Sequence, residues 1–150
     1  MFLGSIEHQL DGKNRIRIPK KFRKDMEGEL YFMKYSGGCI AVLTRSDLDE
    51  RLSVLKEIKS NQPKLLQAKR QLLASIEKIE EDDQGRIVLS ASMREYAHIT
   101  KDVVTRGVMD YVEIWSPEVL RKQDELKNDE NTPDENRTVD IEQALLNIGI

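Results

Sequence analysis

Two segments place an aspartate four residues before an arginine: Asp11-Gly12-Lys13-Asn14-Arg15 and Asp82-Asp83-Gln84-Gly85-Arg86. Such a pair can form an ion pair within a loop and hold a turn. The neighbouring residue types suit a polyanion. Arginine grips phosphate or guanine through two parallel N–H groups, lysine meets phosphate as a point charge, and asparagine reads adenine. Lys13, Asn14, Arg15, Arg17 and Arg86 are therefore the candidate DNA contacts. Asp11 and Asp82 are expected to structure their loops, because a carboxylate cannot itself favour phosphate. From Gly12 to Lys24 there are seven bases and no acid. That run adds Lys20, Lys21 and Lys24 as further phosphate contacts, or as ordinary solvated helix residues. Arg23 matches Arg94 in the second half, which suggests a repeated packing or helix-end role.

The second loop is acidic. Residues 77 to 86 hold five acids against two bases, a net of −3. Such a loop repels phosphate unless its acids turn away or pair with bases of a neighbouring protomer. The two loops should therefore be unequal: the first supplies most of the affinity, and Arg86 supplies less or helps specificity.

The whole chain of 150 residues carries a net charge of −3, which is an average over unlike parts. Residues 124 to 150 hold eight acids and two bases, a net of −6, so residues 1 to 123 carry +3. With 39% hydrophobic and 34% charged residues, the chain is too apolar for disorder throughout and too charged for a membrane protein. No apolar run approaches the ~20 residues of a membrane span, and the N-terminus lacks the pattern of a signal peptide. A single cysteine, Cys39, forbids an internal disulfide and fits a reducing cytoplasm.

Catalytic signatures are sparse. His8 and His98 stand alone, and no His-Glu-x-x-His, P-loop or Gly-x-Gly-x-x-Gly occurs. Asp11 and Asp82 could be imagined as a proton-sharing carboxylate dyad. An arginine four residues after each would instead lower both pKa values. Cys39 and Trp115 fall on strand patterns; the first reads as a small buried hydrophobe, the second as core or protomer interface. No enzyme activity, metal, cofactor or small-molecule substrate is expected.

The aspartate loops belong to an internal repeat. At an offset of 71, Asp11, Arg15, Ile16, Ile18, Phe22 and Arg23 match Asp82, Arg86, Ile87, Leu89, Met93 and Arg94. At an offset of 72, Ile40 to Thr44 lie over Val112 to Ser116 and Leu48 over Leu120. The first copy predicts strands at about Ser5–Leu10 and Arg15–Ile18, and a short helix from Pro19 to about Met26. Strands at Leu30–Tyr35 and Cys39–Leu43 follow, joined by a Ser36-Gly37-Gly38 turn. Thr44 to Asp47 has capping-box spacing before the helix that closes the copy. The second copy has Ser90 as an N-cap, strands at Val103–Gly107 and Tyr111–Trp115, and a helix opening at Ser116-Pro117. Between the copies, Leu48, Leu52, Leu55 and Ile58, then Leu65, Leu72 and Ile76, recur at helical spacing as an αα-hairpin broken at Asn61-Gln62-Pro63.

A half of roughly 70 residues is marginal alone, but two can share a core and hide each other's edges. The expected fold is α+β and mainly β: one β-barrel built by both repeats, with helices outside. Residues 1–127 form a single pseudo-twofold domain. Repeat one is 1–59, repeat two is 76–127, and the helical insertion is about 46–79. Residues 128–150 are an acidic linker and tail, with a weak amphipathic helix at Val139 to Ile148.

The opening Met-Phe-Leu-Gly4, the two Asp-x-x-x-Arg loops and the late Val112-Glu-Ile-Trp115 resemble the MraZ family over about residues 1 to 127. These are bacterial transcriptional regulators of the AbrB-like swapped-hairpin barrel class. The resemblance implies a double swapped-hairpin β-barrel within one chain and a ring-shaped homo-oligomer, an octamer or dodecamer. It implies binding of double-stranded DNA at repeated promoter boxes of the division and cell-wall gene cluster, including the regulator's own gene. It makes Arg15 and Arg86 the matching DNA-facing arginines, with Asp11 and Asp82 as their motif partners. The implied regulator is cytoplasmic, nucleoid-associated and by default a repressor. Ser90 departs from the proline of the family pattern. The contrasting expectation is a homo-oligomeric protein-interaction module without DNA binding.

Overall fold

A computed structural model describes residues 1–59 and 61–125. The expected acidic linker and the weak helix at Val139 to Ile148 lie outside the described residues. Met1–Pro117 form one compact unit, and a second begins at Glu118.

The first unit is α+β with antiparallel strand pairing. Strands β1 (Ser5–Gln9), β3 (Leu30–Tyr35), β4 (Cys39–Thr44), β5 (Glu77–Lys78), β7 (Asp102–Val108) and β8 (Tyr111–Trp115) make one sheet in the order β1-β7-β8-β4-β3-β5. Strands β2 (Arg15–Arg17) and β6 (Arg86–Val88) make a separate two-stranded ribbon. Exchanging each strand for its repeat mate (β1 for β5, β2 for β6, β3 for β7, β4 for β8) reverses the sheet order onto itself. The partnerships that matter cross the repeats: β1 pairs with β7, β5 with β3, β4 with β8, and β2 with β6. Sequence-adjacent pairing is confined to the β3–β4 and β7–β8 hairpins. The hydrogen-bonded sheet leaves β1 and β5 as its two ends.

The hairpins differ in their turns. Gly37 and Gly38 both take positive φ, at 86° and 89°, between Tyr35 and Cys39. In the second hairpin Met109 adopts φ 68° in a two-residue turn, and the loop is one residue shorter. The repeat offset therefore falls by one across this turn, from 73 between Tyr35 and Val108 to 72 between Cys39 and Tyr111. The short helices α1 (Lys20–Arg23) and α4 (Ala91–Ala97) follow the ribbon strands. Ser90 accepts the Met93 N–H at 3.2 Å and caps α4. Its φ of −58° is near the −51° of Pro19, so serine occupies a proline-compatible conformation. Regular helix in α1 stops at Arg23, and tighter turns carry the chain on to Met26.

Two apolar clusters lie in the unit. The larger joins both repeats: Ile16, Ile18 and Phe22 from one meet Ile87, Leu89 and Met93 from the other. The smaller holds Met33, Ala41, Leu43 and Leu48, with Leu52, Leu72 and Ile76 against it. Strand β4 supplies both, Ile40 and Val42 to the first and Ala41 and Leu43 to the second. A strand buried on both faces has no reason to alternate, so it reads as an unbroken apolar run. Cys39 is fully buried on this strand, and burial pushes its thiol pKa up. Trp115 is buried too.

Helices α2 (Arg45–Leu55) and α3 (Pro63–Ala74) occupy the insertion. Thr44 accepts the Asp47 N–H at 3.3 Å, as its spacing predicts. The apolar stripe of the second helix is realised only partly. Leu65 and Leu73 stay 48% and 40% exposed, no α3 residue is fully buried, and α3 ends at Ala74. Glu77–Lys78, which lie where the expected insertion and repeat two overlap, form strand β5, because the edge of β3 at Tyr31 and Phe32 offers backbone partners. Helix α5 (Pro117–Glu125) opens at Pro117. No helix among the described residues is long and apolar enough to cross a membrane.

Gly107 lies where the segment before β1 crosses β7, and its N–H donates to Gly4 O at 2.9 Å. A Cβ there would collide with the Phe2 and Leu3 backbone. Gly107→Ala should destabilise the protein by about 1–3 kcal/mol. Phe22→Ala, in the shared core, should cost about 3–5 kcal/mol. Chemical denaturation checks both; an unchanged midpoint for either variant would contradict the packing described.

Candidate nucleic-acid interface

Each aspartate loop is closed by its own carboxylate. Asp11 Oδ1 accepts the N–H groups of Lys13 and Arg15, both at 2.9 Å, and Oδ2 accepts Arg15 Nε at 2.6 Å. Asp82 repeats this with Gln84 N at 2.9 Å, Arg86 N at 2.8 Å and Arg86 Nε at 2.7 Å. The Asp11 and Asp82 N–H groups donate to Arg15 O and Arg86 O at 3.0 and 2.9 Å. The fourth residue of each loop takes positive φ: Asn14 at 58° and Gly85 at 74°. Asn14 thus fills a left-handed position that glycine fills in the other repeat, and asparagine tolerates it better than most side chains. Its carbonyl also accepts the Leu89 N–H at 2.9 Å, tying the loop to the opposite repeat.

These bonds stabilise the ionised carboxylates. The Arg15 backbone N–H is the largest influence on Asp11, with the Lys13 N–H and the Arg15 side chain adding to it; its pKa falls to about 2. The Arg86 N–H leads the same lowering at Asp82. Two aspartates held ionised by separate arginines are the opposite of a proton-sharing dyad. The locks use Nε of each arginine, which leaves the outer guanidinium nitrogens to act beyond the loop.

Antiparallel pairing of β2 with β6 sets the two loops at opposite ends of one short ribbon, each beside the strand of the other repeat. Arg15 lies opposite Val88, Ile16 opposite Ile87, and Arg17 opposite Arg86. Ile16 and Ile87 point into the core, so Arg15, Arg17, Arg86 and Val88 share the outward face. A cavity of about 540 Å³ adjoins that face, lined among others by Arg15, Arg17, Lys20, Arg86, His8 and Gln9. His8 Nε2 is 2.6 Å from Thr105 Oγ1, and burial lowers its pKa. Lys13, Lys20, Lys21 and Lys24 are exposed. Lys21 folds its ammonium over the Phe22 ring, 5.7 Å from the centroid.

Three of the five acids of residues 77 to 86, Glu77, Glu81 and Asp82, are bonded within the chain. Glu81 pairs with Arg23 Nη2 at 2.9 Å, and Arg23 Nη1 also donates to Met26 O at 2.7 Å. Glu77 accepts the Ser90 hydroxyl at 3.0 Å. The partner expected from a neighbouring protomer is thus, for Glu81, a base of the other repeat. Arg94 Nε donates to Leu89 O at 3.0 Å, a packing role like the one expected of the Arg23–Arg94 match. Nothing in the sequence of β1 marks it as the strand that borders the ribbon, so it gives His8 and Gln9 no signal of a place beside the arginines. For Gln84 the signal lies in the repeat, since the offset of 71 sets it against Lys13.

The carboxylate locks carry a pH signature. A carboxylate whose pKa is lowered on folding stabilises the fold above its unfolded value and loses that contribution as pH falls toward the folded one. The Arg15 amide resonance should therefore hold as pH falls from neutrality through the ordinary aspartate range and move only as pH approaches about 2, and that of Arg86 should likewise move below the ordinary aspartate range. An NMR titration checks this; movement centred at an ordinary aspartate pKa would mean the locks do not form.

Comparison with known proteins matches residues 1–64 and 72–141 to the family described as "MraZ protein, putative antitoxin-like". A protein of Mycobacterium ulcerans named transcriptional regulator MraZ is 36% identical over 126 residues, covering 84% of this chain and 88% of the relative. The namesake of Corynebacterium glutamicum strain R is 37% identical over 115 residues, covering 77% and 80%. That of Mycobacterium avium is 32% identical over 145 residues, covering 97% of both. With both aspartate loops and nearly the whole described chain inside that likeness, the chain belongs to the MraZ family.

Proposed function

We propose that the chain is a DNA-binding transcriptional regulator that meets the duplex with the outward face of the β2–β6 ribbon and its two loops. The observation that carries this reading is the ribbon register. It gathers Arg15, Arg17 and Arg86 on one surface while Asp11, Asp82, Glu77 and Glu81 are held by partners within the chain. Arg15, Arg17 and Arg86 meet phosphate or guanine, Lys13 meets phosphate, and Asn14 reads adenine. Lys20, Lys21 and Lys24 add peripheral phosphate contacts. The relatives named transcriptional regulators support the same reading.

The cross-repeat strand partners and the self-reversing sheet order support a double swapped-hairpin β-barrel with a pseudo-twofold axis over residues 1–127. One ribbon buries little surface, so a single chain binds weakly. The family likeness supports a ring of protomers, an octamer or dodecamer, that displays many ribbons at fixed spacing. Exposed Met1, Leu3 and Met109 where the N-terminus meets the β7–β8 turn offer apolar surface for such contacts. Repeated promoter boxes of the division and cell-wall cluster, the chain's own gene included, then engage several ribbons at once. Occupancy obstructs polymerase, which makes the regulator a repressor acting in the cytoplasm at the nucleoid.

The same exposed apolar residues, with Leu65 and Leu73 on α3, favour the second reading: a self-associating interaction module without DNA. Salt separates the two. DNA affinity should fall steeply as salt rises, with a log–log slope of about −0.9 per neutralised phosphate. Apolar association should not weaken this way. On its own upstream duplex, Arg15→Ala should weaken binding by about 10- to 100-fold and Arg86→Ala by less. Deleting all boxes but one should reduce affinity by about 100-fold or more, beyond proportion to box number. Mobility-shift titrations check all three. A salt-independent signal would favour the module, equal arginine losses would refute the asymmetry, and a single box as tight as the array would refute multivalency.

A further inference from the structure

The two loops are closed by the same set of bonds but tipped differently. The residue two after the aspartate donates its N–H to the carboxylate in each loop, so Lys13 and Gln84 occupy equivalent positions. Both are exposed. Lys13 follows Gly12, whereas Gln84 follows the exposed Asp83. One tip therefore offers a cation, and the other an amide beside a carboxylate.

These tips suit different parts of a duplex. Phosphate is drawn to the first and repelled by the second. A base edge carries no net charge and is read by paired donors and acceptors, which an amide supplies and an ammonium does not. Gln84 is also steered by the opposite repeat. Its Oε1 accepts Arg17 Nη2 in a long bond of 3.5 Å, which leaves Nε2 on the side away from that arginine. Arg17 in turn stands across the ribbon from Arg86. The acidic surroundings then have a use, because they weaken attachment to arbitrary DNA and so raise the ratio of specific to non-specific binding.

We propose that Gln84 is a base-reading residue that takes the N6 and N7 edge of an adenine in the major groove, while its repeat mate Lys13 anchors phosphate. This rests on the DNA-binding reading above and assigns a determinant within it.

Fluorescence-anisotropy titrations test it with the full chain, a duplex of its own upstream region and a scrambled duplex of equal length. Gln84→Ala should weaken the upstream complex by about 10-fold and leave the scrambled one unchanged. Lys13→Ala should weaken both alike. Gln84→Lys should strengthen scrambled binding and narrow the ratio between the two. Replacing one adenine per box by 7-deazaadenine should weaken wild type at a single position and leave Gln84→Ala indifferent there. If Gln84→Ala weakens both duplexes equally, or leaves the upstream complex intact, Gln84 is not a reader, and the DNA-binding reading survives. If wild type binds neither duplex in dilute buffer, that reading falls and takes this one with it.

Discussion

Everything in the unit depends on strands of one repeat being completed by strands of the other. β1 finds its partner in β7 and β5 in β3, and the ribbon exists only because β2 meets β6. A half cut from this arrangement would expose the edges of β3 and β7 and leave Ile16 without Ile87. The buried residues behave accordingly: Phe22 and Met93, repeat mates 71 residues apart, sit in one cluster. The fold is thus a consequence of duplication, in which each copy supplies the edge strands that the other lacks.

That exchange also sets the electrostatics of the surface. Pairing β2 with β6 forces Arg17 and Arg86 opposite each other, an arrangement of like charges that costs free energy in isolation. The cost is limited because Asp82 is bonded to Arg86 Nε and Arg17 donates to Gln84 Oε1. The ion pairs are partly exposed and contribute little to global stability. Their effect is positional: they orient the guanidinium and fix the loop, while the arginine's outer nitrogens stay outside the lock. Glu81 is removed from the same surface by Arg23, a base that belongs to the other repeat.

Symmetry of the backbone does not carry over to the chemistry of the tips. Two loops with matching bonds present lysine and asparagine on one side, glutamine and glycine on the other. Duplication supplies two positioned platforms, and divergence of two or three exposed residues on each gives them separate tasks at little cost to the core. A ribbon of six residues is too small to bind tightly, so assembly into a multivalent array is the natural complement of so compact a reading head.

Much of this was legible in the residues themselves. The 71-residue repeat, the Asp–Arg spacing, the Gly37-Gly38 turn and the cap at Thr44 are local signals, governed by backbone preferences and hydrogen bonds that span a few residues. So is the helix start at Ser90, where a hydroxyl stands beside orphan N–H groups. What local chemistry could not decide was who pairs with whom. Strand β5 is two residues long, and a run with Ile76 and Ile79 reads equally well as helix until the open edge of β3 is present to receive it. The partner of Glu81, the meeting of Arg17 with Arg86 and the place of His8 beside the ribbon all join residues 58 to 97 positions apart, or cross from one repeat to the other. Those contacts are selected by burial of a shared core. Sequence alone determined two alike loops that could bear charge; the tertiary structure decided that their arginines share one face of the ribbon.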